Sequence, residues 1–166
     1  RGSSRLVVLV HGFGASPMTM QPIFDAFAGN TDADLWAPLL DYHGRTLTRF
    51  RAFDAEAIRD DLAARLSQRI QGYDEVVVIA HSFGGAMIAD LAAVGVDASG
   101  VADVYAQNIF FTIVPDAVLR LFAYADAVTP RVGGLQRPVD IVMAKDDGEV
   151  SFAGTEALCA SLSSCR

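Results

Sequence analysis

A single serine stands between a predicted strand and a predicted helix. Residues 76–85 read Val-Val-Val-Ile-Ala-His-Ser-Phe-Gly-Gly, and an Ala-rich apolar segment follows them. The β-branched run predicts a buried strand, and the sharp turn after it exposes Ser82 at the edge of a sheet. The small residues Ala80 and Gly84 let strand and helix pass close together, although glycine is the usual residue where Ala80 stands. Ser82 is therefore predicted to be a nucleophile, with the N–H of Phe83 facing the developing oxyanion.

A glycine-rich turn follows the first apolar run of the chain. Residues 6–10 read Leu-Val-Val-Leu-Val, which favours a parallel strand buried on both faces, and His11-Gly12-Phe13-Gly14 comes next. Glycines at this place let the backbone approach a substrate without interference from a Cβ atom. The N–H of Phe13 is therefore predicted to be the second oxyanion donor.

These two motifs, in this order, resemble those of the α/β-hydrolase family. The loop 41–46, Asp-Tyr-His-Gly-Arg-Thr, is similar to a degraded form of the family's D-x-x-G-H-G-x-S loop. The Ala-His-Ser-x-Gly-Gly form of the serine turn is similar to that of small, lidless bacterial lipases. The resemblance covers residues 6–162. It implies an α/β fold, with a mostly parallel doubly wound sheet, helices on both faces and no large lid, and a Ser–acid–His triad in that chain order.

The resemblance also implies a triad acid near the carboxyl end of the chain. Residues 144–150 read Ala-Lys-Asp-Asp-Gly-Glu-Val, after a predicted strand at 139–143. The family's G-x-x-D-x-x-V pattern places Asp147 at the acid position. Asp146 is the near alternative, and Asp116 a remoter one, since some members carry the acid one strand earlier. A solvated Asp-Asp-Gly turn is the purely structural interpretation.

The general base is harder to assign. His11 belongs to the oxyanion loop, His81 adjoins the nucleophile and points elsewhere by the family pattern, and His43 lies in a loop that can border the site. The family's histidine lies downstream of the acid, and no histidine follows Asp147. The chain also begins at what would be the family's third strand. Three interpretations follow: a longer enzyme seen in part, a shortened form whose base is His43 or comes from another chain, or a non-catalytic relative.

Strands and helices alternate along the whole chain, which predicts a parallel sheet with its ligands at the carboxyl ends of the strands. The helix at 54–71 is the clearest, with Asp54 as its N-cap and a buried stripe repeated every four residues. Residues 96–108 remain unassigned, and 130–138 is predicted to be a loop. The other predicted strands are 35–40, 109–114 and 139–143, and the other predicted helices are about 22–28, 83–94, 116–127 and 152–162.

Composition bounds the function further. The chain has 166 residues, 52% of them apolar, which predicts a single folded domain, 1–166. If the resemblance holds, this domain is incomplete at both ends. The formal net charge of −7 predicts no nucleic-acid partner. No apolar run reaches the ~20 residues of a membrane span. No cofactor or metal is predicted, and the oligomeric state is open. Two interpretations of Cys159 and Cys165 stay open. They are either two free thiols, as expected in a cytoplasmic protein, or a disulfide, as expected in a secreted one.

The expected reaction is hydrolysis of a carboxylic ester or thioester through an acyl-enzyme. Ser82 attacks, and Asp147 orients a histidine that is not among the residues of the chain. Phe13 and Phe83 suggest an apolar acyl or aryl substrate. Further phenylalanines, at positions 110, 111 and 122, are expected in the core. The alternatives are C–C bond hydrolysis or perhydrolysis by the same serine, and a ligand- or partner-binding protein on the same scaffold.

Overall fold

The computed structural model describes residues 2–29, 31–93, 101–105, 124, 127–128, 131 and 152–161. Within these ranges the strands are β1 (Arg5–Val10), β2 (Asp34–Trp36), β3 (Glu75–Ala80) and β4 (Val101–Tyr105). The helices are α1 (Gln21–Ala28), α2 (Leu47–Arg51), α3 (Ala55–Arg69), α4 (Phe83–Ala93) and α5 (Phe152–Ser161), and a 3₁₀ turn (Pro17–Met20) precedes α1. The strands form one parallel sheet in the order β2-β1-β3-β4. An α/β architecture with a parallel sheet is thereby confirmed.

The central strand β1 is buried on both faces because alternate side chains enter two different cores. Leu6, Val8 and Val10 join a large cluster that includes side chains of α3 and α4. Val7 and Leu9 join a smaller cluster with Met20 and apolar side chains of α1. Helices therefore cover both faces of the sheet, as the doubly wound prediction requires.

Strands β1 and β3 pair along their full length, from Arg5 opposite Glu75 to Val10 opposite Ala80. Because the two strands run parallel and in register, they end side by side. The turn after β1 and the turn after β3 are therefore neighbours at one edge of the sheet, called here the carboxyl edge. The strand starts form the opposite, amino edge.

Helix α3 matches its prediction closely. The Asp54 carboxylate accepts a hydrogen bond from the backbone N–H of Ala57 (3.0 Å), which satisfies one of the unpaired donors of the first turn. Ile58, Leu62 and Leu66 are buried and form the predicted stripe against the sheet.

Four details differ from the expectations. Strand β2 covers only Asp34–Trp36 rather than 35–40, since Pro38 has no N–H to continue a ladder. Helix α2 was not predicted; the Thr46 hydroxyl caps it by accepting from the N–H of Arg49 (3.2 Å). Strand β4 falls within the unassigned stretch 96–108.

The fourth difference is Arg131, which is helical although 130–138 was predicted to be a loop. The predicted elements at 109–114 and 139–143, and most of 116–127, lie outside the described residues. In the ranges that the structure describes, no helix is both long and apolar enough to span a bilayer.

Candidate active site

The turn between β3 and α4 holds Ser82 in an unusual backbone conformation. Strand β3 ends at Ala80 and α4 begins at Phe83, and Ser82 has a φ of +50°. This left-handed region is uncommon for residues other than glycine, and it persists only where the surroundings impose it. The half-buried Ser82 thus sits on a sharp strand-to-helix turn at the carboxyl edge, in the position predicted for a nucleophile.

Gly84 is the residue that allows this turn to pack against β1. A Cβ atom added there would lie 2.6 Å from the carbonyl oxygen of His11 and 2.8 Å from that of Val10. Both are backbone atoms of the central strand and its exit, which cannot move aside cheaply. The need for a small residue two positions after Ser82 therefore has a direct steric cause.

The loop after β1 touches the serine turn. A Cβ atom on Gly12 would lie 2.7 Å from Nδ1 of His81, and the His81 N–H donates to the carbonyl of Val10 at 2.9 Å. The rings of Phe13 and Phe83 meet edge to face, with centroids 6.2 Å apart. The two residues predicted to supply oxyanion N–H groups therefore lie side by side, and His81 is buried between the two turns.

His11 is fully buried and both of its ring nitrogens are engaged. Nδ1 lies 2.9 Å from the carbonyl oxygen of Gly12, and Nε2 accepts a hydrogen bond from the N–H of Leu40 (3.0 Å). A neutral ring with its proton on Nδ1 satisfies both contacts. Burial lowers the pKa of His11 to about 4. His11 therefore ties the exit of β1 to the segment after β2.

His43 is also buried, and it packs against Phe13 of the loop after β1 and Phe83 of the serine turn. Its ring stacks on Phe83 (centroids 6.1 Å, 21°) and meets Phe13 edge on at 6.1 Å. Nδ1 lies 2.8 Å from the carbonyl oxygen of Asp41, while Nε2 has no hydrogen-bond partner in the described part of the chain. Burial lowers the pKa of His43, so the ring is neutral at pH 7. His43 therefore borders the candidate site.

Two aromatic residues that the sequence analysis did not single out complete this region. Phe50, at the end of α2, and Phe53 each lie 5.0 Å from Phe13, centroid to centroid. Phe53 is fully buried and lies 5.2 Å from Phe83. Their position just after the loop 41–46, which the resemblance already placed at the site, was the signal that could have found them. Together they give the carboxyl edge an apolar, aromatic floor.

The remaining predicted residues fall partly beyond what the structure describes. Asp147 and its alternatives Asp146 and Asp116 lie outside the described residues, as do the phenylalanines at positions 110, 111 and 122. Cys159 is disulfide-bonded, and Cys165, the other cysteine of the sequence, is again outside the described ranges. Among the described residues, no group of three or more His, Cys, Asp or Glu side chains could hold a metal ion.

Comparison with known proteins gives the geometry a context. Residues 7–163 match the sequence model of a family described as the alpha/beta hydrolase family. No curated protein sequence matches the chain.

Several solved structures share the fold at low sequence identity. One is from work on LipS and LipT, two metagenome-derived lipolytic enzymes (TM-score 0.76, 19% identity, 99% of this chain and 82% of the other). Another is the thioesterase domain from the curacin biosynthetic pathway (TM-score 0.73, 11% identity, 99% and 84%). A third is esterase 2 of Thermogutta terrifontis, phosphonylated by sarin (TM-score 0.72, 16% identity, 99% and 72%). At these identities the likeness establishes the fold alone.

Proposed function

Because the chain belongs to the alpha/beta hydrolase family, we propose that it is the serine-bearing part of a hydrolase that cleaves a carboxylic ester or thioester. One observation carries the proposal: Ser82 occupies a strained strand-to-helix turn with a φ of +50°, in direct contact with the glycine-rich loop after β1. Backbone strain of this kind clusters at active sites and other functional sites.

The proposed reaction has two halves. The Ser82 oxygen attacks the carbonyl carbon and gives its proton to a base, and the oxygen of the tetrahedral intermediate accepts hydrogen bonds from the N–H groups of Phe13 and Phe83. The leaving alcohol or thiol departs with the proton, which leaves an acyl group on Ser82. Water then attacks the acyl-enzyme by the same route and releases the carboxylic acid. Asp147 orients the base.

The base in this proposal is a histidine from outside the 166 residues. His11 has both ring nitrogens in hydrogen bonds to the backbone, and neither bond involves Ser82. His43 stacks on the side chain of Phe83, and its Nδ1 is held by Asp41. His81 is buried against Gly12. We therefore assign none of the three as the proton acceptor of the serine in this proposal.

The surroundings favour an apolar acyl or aryl group. Phe13, Phe50, Phe53 and Phe83 pack against one another in the core next to the serine turn, and an aromatic surface there would stabilise an apolar chain by removing it from water. The fold neighbours described above as lipolytic enzymes, an esterase and a thioesterase agree with this substrate class.

The experiment uses the 166-residue chain, a fluorophosphonate probe and p-nitrophenyl esters of increasing acyl length, each with and without added imidazole. Free imidazole can occupy the place of a base histidine that the chain does not supply. We expect phosphonylation at Ser82, located by peptide mass spectrometry, and ester turnover that rises with imidazole. Ser82→Ala removes both. Without imidazole the turnover is low, since loss of one triad member elsewhere leaves about 10³–10⁴ over water.

His43→Phe is the matched control, because it keeps an aromatic ring against Phe83 and removes the ring nitrogens. If turnover without imidazole is substantial and His43→Phe abolishes it, then His43 is the base, and the proposal that the base is a histidine from outside the 166 residues is wrong. Labelling of Ser82 without turnover of any ester would point to C–C bond hydrolysis or perhydrolysis. A folded chain that stays unlabelled under every condition would contradict the hydrolase proposal and favour a binding protein.

A further inference from the structure

One face of α4 carries a buried charge among apolar residues. Phe83, Met87 and Asp90 follow each other at spacings of four and three, which places them on one stripe of the helix. All three are buried, and Asp90 is fully so. Burial of a carboxylate is unfavourable unless opposite charges and hydrogen bonds stabilise it. Asp90 lies on the helix that starts at the serine turn, so its partners there require an explanation.

Tyr124 reaches all three residues of this stripe. Its ring lies 5.9 Å from the ring of Phe83, and its hydroxyl lies 3.6 Å from the sulfur of Met87. The same hydroxyl donates a hydrogen bond of 2.8 Å to Oδ2 of Asp90. Burial, together with the Asp90 carboxylate, raises the pKa of Tyr124 well above its ordinary value, so the hydroxyl keeps its proton.

Two arginines neutralise the Asp90 carboxylate. Arg131 lies 2.9 Å from Oδ1 and Arg59, on α3, lies 3.5 Å from Oδ2. Tyr124, Val128 and Arg131 are themselves spaced by four and three, and the first two are buried. Asp90 thus joins α4, α3 and the helical residues Tyr124 and Arg131 at one point, about two turns along the helix from Ser82.

From these contacts we propose that Asp90 and Tyr124 are positioning residues for the oxyanion hole. Asp90 fixes the Tyr124 hydroxyl, and the Tyr124 ring closes one side of the Phe83 side chain, which also contacts the rings of Phe13, Phe53 and His43. The backbone N–H of Phe83 is thereby held where the oxyanion forms. This inference rests on the proposed function, because it assigns a purpose to the placement of that N–H.

The physical reason is the steep dependence of oxyanion stabilisation on donor position. Displacement of a catalytic group by ~1 Å can cost about 10²-fold in rate. A Phe83 side chain free to move toward the space left by Tyr124 would carry its own backbone with it. Loss of the bond to Asp90 would leave the Tyr124 ring, and with it the Phe83 side chain, less firmly positioned.

The test is Tyr124→Phe, which keeps the ring and removes the bond to Asp90. The matched control is Tyr73→Phe: Tyr73 donates to Oδ2 of Asp34 at 2.7 Å, at the amino edge and away from Ser82. Both variants and the wild type are reacted with a fluorophosphonate in imidazole, well below their unfolding temperatures. The maximal phosphonylation rate and the half-saturating probe concentration are measured separately.

For Tyr124→Phe we expect a maximal rate about tenfold lower at an unchanged half-saturating concentration, because a displacement of the Phe83 N–H by less than ~1 Å costs less than the about 10²-fold of a full ångström. Tyr73→Phe is expected to keep the wild-type rate. Equal rates in Tyr124→Phe and wild type, or equal losses in the two variants, would overturn the positioning role. A wild type that does not react at all contradicts the proposed function instead, so the two failures are distinguishable.

If Tyr124→Phe is not folded, Tyr124→Trp replaces it, because this variant keeps a buried aromatic side chain with an N–H donor. Recovery of the rate in Tyr124→Trp relative to Tyr124→Leu would support the role of the ring and its donor. A rate in Tyr124→Leu equal to that of the wild type would overturn it.

Discussion

The two edges of the sheet treat polar side chains in opposite ways. At the amino edge, Arg5 and Glu75 form an ion pair in which both side chains are more than 40% exposed. At the carboxyl edge, the same two strands are followed by His11 and His81, whose side chains are no more than 3% exposed. The strands are the same and in register, so the difference comes from what packs on their ends.

Burial of polar groups is unfavourable unless each finds a partner, and an exposed pair such as Arg5–Glu75 avoids that cost by staying hydrated. At the carboxyl edge, polar histidine side chains are buried in spite of this cost, and the strained backbone of Ser82 is a second unfavourable feature there. These unfavourable features are offset by close glycine contacts and buried hydrogen bonds. We interpret their concentration as support for a candidate active site at the carboxyl edge. Three predictions test the contrast.

The largest effect is expected at Gly84. Gly84→Ala places a Cβ within 2.8 Å of two backbone oxygens, so we expect it to lower the free energy of unfolding by more than about 3 kcal/mol and to abolish labelling of Ser82. Gly29→Ala is the control, since among the described residues nothing beyond its chain neighbours lies within 4 Å of its Cβ position; its effect should stay within about 0.5 kcal/mol. Urea unfolding measures both. Equal effects would mean that the carboxyl edge is not tightly packed.

The second prediction concerns the free energy of unfolding at acid pH. The pKa of His11 is lowered in the folded state from 6.5 to about 4, so the unfolded chain takes up the proton first as the pH falls. The stability due to neutral His11 is complete above pH 6.5 and is lost progressively down to about pH 4. From pH 6.5 to 4.5 the loss is roughly 2 to 3 kcal/mol, at 1.36 kcal/mol per pKa unit.

The control for acid is His11→Gln, whose amide can donate and accept but does not titrate in this range. Unfolding free energies of the two proteins, measured between pH 7 and pH 4.5, should converge as the pH falls. His43 also has a lowered pKa and contributes in the same direction in both proteins, so the part of its contribution that does not depend on His11 cancels in the difference. Parallel curves would show that His11 is not buried as a neutral ring.

The smallest effect is expected at the amino edge. Glu75→Gln removes the charge partner of Arg5 where both side chains are substantially exposed, so the free energy of unfolding should fall by no more than about 1 kcal/mol. The effect should shrink further in 0.5 M salt, because screening weakens exposed pairs. Chemical denaturation at two salt concentrations measures it. A loss comparable to that of Gly84→Ala would remove the contrast between the edges.

Features set by neighbours in the chain were accessible from the sequence. The cap at Asp54, the stripe on α3 and the strand before Ser82 all follow from spacing within one segment. The end of β2 at Trp36 was missed although Pro38 signals it, because the apolar run to Leu40 outweighed a single residue. The Asp90 contact with Tyr124 was not accessible, since it joins residues 34 positions apart and Asp90 stands in an otherwise apolar helix.

By itself, the sequence determined that a serine stands on a sharp turn between a buried strand and an apolar helix, and that the small residues Ala80 and Gly84 stand on either side of it, because steric limits on a turn are local. Only the tertiary structure decided what surrounds that serine. It showed that His11 is held by the backbone of Gly12 and Leu40, and that His43 stacks on Phe83. A histidine's role depends on which atoms meet its two nitrogens, and distant segments bring those atoms to the carboxyl edge.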